Sequence, residues 1–205
     1  IQVEDEDSLT ERFEGSRGVD LIDIAVVRLP RISNFTDFDP LERIPGVSLR
    51  YVKNVSGLKD PDMVILPGTK NTMEDLQWLR QSGMEAAILK LAGKGRIVLG
   101  ICGGYQMLGS SLSDPEGVEA GGRMRGMGLL DMDTVFSSKK TRTQVDGVFT
   151  RIGGMLESLQ GTRFTGYEIH MGEAVFSGDT HGMDEVTDRV TGTVKQDGAC
   201  AKNVY

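Results

Sequence analysis

The chain has 205 residues, 39% hydrophobic and 26% charged, with two cysteines, two histidines and a formal net charge of −7. That length and apolar share support one globular domain with its own core, and the negative balance argues against a nucleic acid as main partner. Two cysteines make no disulfide framework, the residues for a zinc-like cluster are lacking, and no apolar run approaches the roughly 20 residues of a membrane span; a reducing cytoplasm is the expected setting.

Residues 1–18, "IQVEDEDSLTERFEGSRG", are charged and do not follow the basic-then-apolar order of a signal peptide, so they read as a solvated linker from an upstream domain, with the folded domain over 19–205. "LIDIAVVRLP" (21–30) is apolar with little alternation, as a strand buried on both faces is. "RISNFTDFDPL" (31–41) reads as a loop whose Asn34, Asp37 and Asp39 offer caps for a helix starting near Asp39-Pro40. "VSLRYVKN" (47–54) alternates and predicts a second strand, and "PDMVILPG" (61–68) predicts a third that ends at Pro67-Gly68. From Thr72, expected as an N-cap with Asp75 three residues on, Met73, Leu76, Leu79, Met84, Ile88 and Leu91 recur at helical spacing, with Gly83 dividing two helices. "RIVLGIC" (96–102) is another buried strand, and "GYQMLGSSL" continues as a short helix. Strand and helix in alternation imply a parallel, doubly wound sheet.

The second half changes character. "GMGLLDMDTVFSS" and "TRTQVDGVFTRI" predict an antiparallel pair with Lys139 and Lys140 at the turn, part of an antiparallel extension from about 128 to 175. Lys139, Lys140, Arg142 and Arg151 read either as a solvated turn or as a basic docking patch. "RFTGYEIHMGEAVFSG" and "RVTGTVKQDGACAKNVY" add further strands. Met124, Met127, Met132, Met155 and Met171 are expected to fill core gaps, and Cys200 to be a small core residue.

Cys102 lies at the end of a strand, before Gly103, Gly104 and a helix. That strand–turn–helix pattern is a nucleophile elbow. The turn lifts the side chain to the carboxyl end of the sheet, where open α/β sheets place their sites, and the helix start offers N–H groups to an anion. The same pattern also suits a small buried cysteine in a tight connection. "LPGT" (66–69) ends the neighbouring strand, so Gly68 and Gly103 can present two N–H donors to an oxyanion beside Cys102.

"GICGGYQMLG" resembles the elbow of class I (triad-type) glutamine amidotransferases. Taken with "RISNFTDFDPL", "LPGTKNT" and "GYEIHMG", it is similar to the carboxyl-terminal amidotransferase domain of the cobyric acid synthase family, from about Asp23 to the last residue. The resemblance implies an α/β, flavodoxin-like fold with a mostly parallel sheet and an antiparallel extension. It implies Cys102 as nucleophile toward glutamine, Gly68 and Gly103 as oxyanion donors, and Tyr105 and Gln106 in the glutamine pocket. Ammonia would pass to an upstream domain that uses ATP and magnesium to amidate peripheral carboxylates of a corrinoid acceptor in cobalamin biosynthesis; no cofactor is implied in this chain, and no G-x-x-x-x-G-K-[ST] occurs in it.

The base is less direct. His170, in "GYEIHMG", is followed by Met171-Gly172 rather than by the Pro-Glu of the usual dyad, and is expected either as base or as a pocket-shaping residue. The resemblance places the base in a later Tyr-x-His-Gly motif, beyond Tyr205, so the domain is expected to be truncated. His181 reads as a solvated loop residue. Alternatives to a corrinoid acceptor of this kind are the acceptors of cobyrinic acid a,c-diamide synthase and of lipid II amidation; a silent docking domain is the alternative of another class.

Overall fold

A computed structural model of the protein describes residues 21–205 apart from 178, 179 and 181. The expected linker over 1–18 and His181 lie outside the described residues. Strands β1 (Ile22–Val27), β2 (Val47–Val52), β3 (Met63–Leu66) and β4 (Ile97–Gly100) form a parallel sheet in the order β2-β1-β3-β4. Beyond β4 the last residues add a fifth, short parallel stretch. Tyr205 N–H donates to the Val98 carbonyl at 2.9 Å, and Gly100 N–H to the Tyr205 carbonyl at 2.8 Å.

One face of this sheet buries Val27, Leu66 and Val98 against Leu76, Leu79, Ile88 and Met107 from the helices, and the other buries Ile24, Val26 and Ile65 with Phe38 and Leu49. Both faces are covered, which is why the strands read as continuous apolar runs. Two one-turn helices, α1 (Asp39–Glu42) and α2 (Val55–Leu58), sit in the first connections, and α3 (Thr72–Gln81) and α4 (Met84–Gly93) fill the third. Gly83, at φ 77°, separates α3 from α4 as expected. Helix α5 (Gly103–Leu108) follows β4 directly.

Strands β5 (Ser111–Asp114), β6 (Gly122–Arg125), β7 (Met132–Phe149), β8 (Arg163–Phe176), β9 (Gly182–Asp188) and β10 (Val194–Ala199) make a second sheet. Its order is β10-β9-β7-β5-β6, with β8 along the other edge of β7. This extension is larger than expected and is mixed, since β5 and β7 pair in parallel. No helix among the described residues is long and apolar enough to cross a membrane.

Several expectations are corrected. Lys139 and Lys140 form no turn; they lie inside β7, one 18-residue strand. Nothing between Ser137 and Thr143 suits a tight turn, and the pairing of β7 with β8 instead absorbs an irregularity between Val135 and Lys140. Asn71, not Thr72, caps α3: its side chain accepts from Glu74 N–H at 2.9 Å. Helix α1 does begin at Asp39-Pro40, but neither it nor the 3-10 turn Phe35–Phe38 before it has a side-chain cap. Of the five methionines expected in the core, Met127 and Met132 are buried, Met124 and Met171 are half-buried, and Met155 is exposed. Cys200 is half-buried, with its thiol 3.6 Å from the Arg151 carbonyl.

Helix α5 presses closely on the sheet. A Cβ added at Gly104 would lie 2.0 Å from the Leu66 carbonyl oxygen, whereas one at Gly93, in α4, would meet nothing within 4 Å. Gly104→Ala is therefore expected to destabilise the protein by about 3 kcal/mol or more, because backbone on both sides must shift. Gly93→Ala should be neutral or stabilising by up to about 1 kcal/mol. Urea titration of both variants against the parent protein measures the contrast.

Candidate active site

Cys102 stands between β4 and α5 with φ 51° and ψ −112°, a conformation that side-chain-bearing residues rarely adopt. Packing imposes it. Ile101 N–H is still bound to the Leu66 carbonyl at 2.9 Å, yet Gln106 N–H already closes the first turn of α5 on the Cys102 carbonyl at 2.9 Å. The chain must reverse within one residue. Gly100 allows the reversal, since a Cβ there would come within 2.5 Å of Tyr105 Cα.

The thiol donates to the Ile169 carbonyl of β8 at 3.8 Å. The residue is open to solvent. Burial of the sulfur's surroundings nevertheless pushes the thiol above its ordinary pKa; the Gly103 N–H pulls it down and Glu119 pushes it up again. Gly68 sits alongside, with its Cβ position 3.8 Å from Cys102 Cβ and 3.1 Å from Ser33 Oγ. The structure thus brings Cys102, Gly68 and Gly103 together.

Gln106 is buried and occupied at both ends of its amide. Its Oε1 accepts from Thr72 Oγ1 at 3.3 Å, and its Nε2 donates to the Met171 carbonyl at 3.1 Å. It joins α3, α5 and β8 around the cysteine. Tyr105 points its hydroxyl elsewhere: that oxygen is buried, has no partner among the described residues, and feels Asp197 and Asp184 of the second sheet. Burial first, and those acids second, push its pKa up.

Both ring nitrogens of His170 are engaged by other groups. Its Nε2 lies 2.6 Å from Glu168 Oε1 and its Nδ1 2.9 Å from the Gly172 carbonyl. Lys195 of β10 pairs with the same Glu168 oxygen. Burial works against the Glu168 carboxylate, but Lys195 and His170 together hold its pKa below the usual value.

Other contributors were not legible in the sequence. The Ile169 and Met171 carbonyls meet the elbow, and a backbone oxygen carries no residue signature; alternation in "GYEIHMG" is the one hint that they share an edge. Asp75, fully buried, accepts from Thr69 Oγ1 at 2.6 Å and from Arg31 N and Nη1 at 3.1 Å each. With Ser33 N–H on the Gly68 carbonyl at 2.9 Å, this pins the start of "RISNFTDFDPL" against the Gly68 turn.

With this geometry in view, comparison with known proteins is decisive. Residues 23–205 match the family described as the CobB/CobQ-like glutamine amidotransferase domain. The chain belongs to that family. It is 51% identical over 207 residues to a cobyric acid synthase of Ruminiclostridium cellulolyticum, covering 100% of this chain and 40% of the relative. It is 56% identical over 177 residues to one of Lachnoclostridium phytofermentans, covering 86% and 34%. The chain therefore spans about two fifths or less of these relatives' length. Among solved structures, PurLQS from Thermotoga maritima superposes with a TM-score of 0.65 at 22% identity, over 89% of this chain and 84% of that one. A glutamine amidotransferase from the same organism gives 0.59 at 14%, over 90% and 73%. At those identities the likeness establishes the amidotransferase fold alone.

Two outcomes follow from this site. Cys102→Gly relieves the positive φ and should stabilise the amidotransferase domain by about 1 kcal/mol or more in thermal unfolding. Asp184 of β9 is buried, its Oδ1 has no partner among the described residues, and burial followed by Asp197 raises its pKa to about 7. A carboxyl whose folded pKa is raised weakens the fold as pH climbs from its unfolded value toward 7. Asp184→Asn should accordingly stabilise the protein at pH 8, and the gain should vanish by pH 4.

Proposed function

We propose that the chain is the glutaminase of a cobyric acid synthase, supplying ammonia for ATP-dependent amidation of corrinoid peripheral carboxylates, from adenosylcobyrinic acid a,c-diamide to adenosylcobyric acid. The observation that carries the glutaminase half is Cys102 at a positive-φ strand–helix junction, with the Gly103 N–H on its sulfur and Gly68 against its Cβ. The family match and the names of the relatives support the corrinoid half.

In this reading the Cys102 thiolate attacks the side-chain carbonyl carbon of glutamine. The carbonyl π electrons move to oxygen, and the oxyanion accepts from the Gly68 and Gly103 N–H groups. Collapse breaks the C–N bond, the nitrogen takes a proton from the base's conjugate acid, and ammonia leaves. Water then attacks the glutamyl thioester, releasing glutamate and restoring the thiol. Gln106 shapes the pocket by holding β8 rather than by offering a free amide, and Tyr105 supports the helix from behind. The raised thiol pKa means that a base must take the proton as glutamine binds. His170 has no free ring nitrogen to do so. Asn203–Tyr205 run parallel to β4, and the resemblance puts the base histidine in a later Tyr-x-His-Gly motif. ATP and magnesium act in the amidoligase part of that polypeptide, outside this chain.

The test uses the parent-length polypeptide. Cys102→Ser should reduce glutamine-driven amidation of the corrinoid to below about a thousandth while ammonia-driven amidation persists. Loss of both, or of neither, contradicts the reading.

A further inference from the structure

Strand β8 presents its free edge to the elbow, and two carbonyls on that edge hold the site: Ile169 receives the Cys102 thiol and Met171 receives the Gln106 amide. Between Met171 and Glu173 the ladder that should steady this edge is interrupted. Met171 pairs with Lys140 and Glu173 with Val135, leaving Gly172 at the shift in register. Gly172 adopts φ 94°, and a Cβ there would come within 3.1 Å of both Phe136 Cδ1 and the Val135 carbonyl oxygen. Pairing with β7 therefore does not by itself fix the peptide that carries the Met171 carbonyl.

His170 bridges the gap. In a strand, residues 168, 170 and 172 share a face, while the carbonyls of 169 and 171 point along the edge. The ring reaches back to Glu168 at 2.6 Å and forward to the Gly172 carbonyl at 2.9 Å. Both ring nitrogens are thus engaged within the strand's own face, and the Glu168 carboxylate that one of them meets also receives Lys195. Glu168 is buried, and Lys195 on β10 pairs with it. The result is a line of contacts, Lys195 to Glu168 to His170 to Gly172, that spans the interruption.

Resting on the glutaminase reading, we propose that His170 is a positioning residue, which ties Glu168 to the Gly172 carbonyl and thereby fixes the Ile169 and Met171 carbonyls against Cys102 and Gln106. The imidazole takes no proton from the thiol. Its loss loosens the wall of the glutamine pocket and weakens substrate binding more than the chemical step.

The experiment compares His170→Leu, His170→Asn and Cys102→Ser in the parent-length polypeptide, with glutamine-driven rates normalised to the ammonia-driven rate of the same sample. Asparagine places an amide nitrogen near the position of Nδ1 and can still donate to the Gly172 carbonyl. His170→Leu should raise KM for glutamine about tenfold, the scale of one hydrogen bond involving a charged group, with a smaller change in kcat, and His170→Asn should recover most of that loss. An unchanged KM in His170→Leu, an Asn variant no better than Leu, or a collapse of kcat at constant KM in both variants overturns the proposal; the last result marks His170 as the base. Persistence of glutamine-driven turnover in Cys102→Ser would instead sink the glutaminase reading.

Discussion

The constraint on which the site depends is the reversal of the chain at Cys102. Strand β4 is hydrogen-bonded to β3 up to Ile101, and α5 closes its first turn from the Cys102 carbonyl onward. No room is left for a loop, so Cys102 takes a positive φ that its side chain resists. The strain is tolerated because the glycines around it admit contacts that any side chain would block: Gly100 under Tyr105, and Gly104 against the Leu66 carbonyl. What this achieves is placement. The cysteine is exposed, with the Gly103 N–H on its sulfur and the Gly68 turn against its Cβ.

The remaining elements hold partners against that fixed point. Asp75 in α3 ties the Arg31 segment to the Gly68 turn, and Gln106 ties α5 to Thr72 and to β8. The second sheet delivers the β8 edge to the thiol, and it does so through a long β7 that pairs with β8 on one side and with β5 and β9 on the other. The two sheets thus meet at the cysteine: one carries Cys102 with Gly68 and Gly103, the other brings up the Ile169 and Met171 carbonyls.

The parallel half of the fold was legible because burial on both faces leaves an unmistakable apolar run, as in "DIAVV" and "MVIL". The elbow was legible because the apolar run of β4 ends at a cysteine followed at once by two glycines and a helical pattern. The second sheet was harder to read. "SSKKTRT" looks like a turn by charge, but it lacks the glycine, asparagine or proline that would let the backbone reverse, and so it stays extended. The contacts of Ile169 and Met171 were invisible because they are made by backbone oxygens, whereas His170 between them stood out by its residue type. Asn71 displaced Thr72 as a cap by a single position, the resolution at which capping patterns compete. Asp75, expected to serve the helix start, is instead spent on Arg31 and Thr69.

The central claim is that Cys102 forms a covalent bond with the side-chain carbon of glutamine. The most direct measurement is labelling of the parent-length polypeptide with a glutamine-shaped diazoketone, followed by peptide mass mapping. The account predicts one adduct, on Cys102, suppressed by excess glutamine, with Cys200 unmodified. Labelling of Cys200 at equal extent, or labelling of Cys102 that glutamine does not suppress, would contradict it.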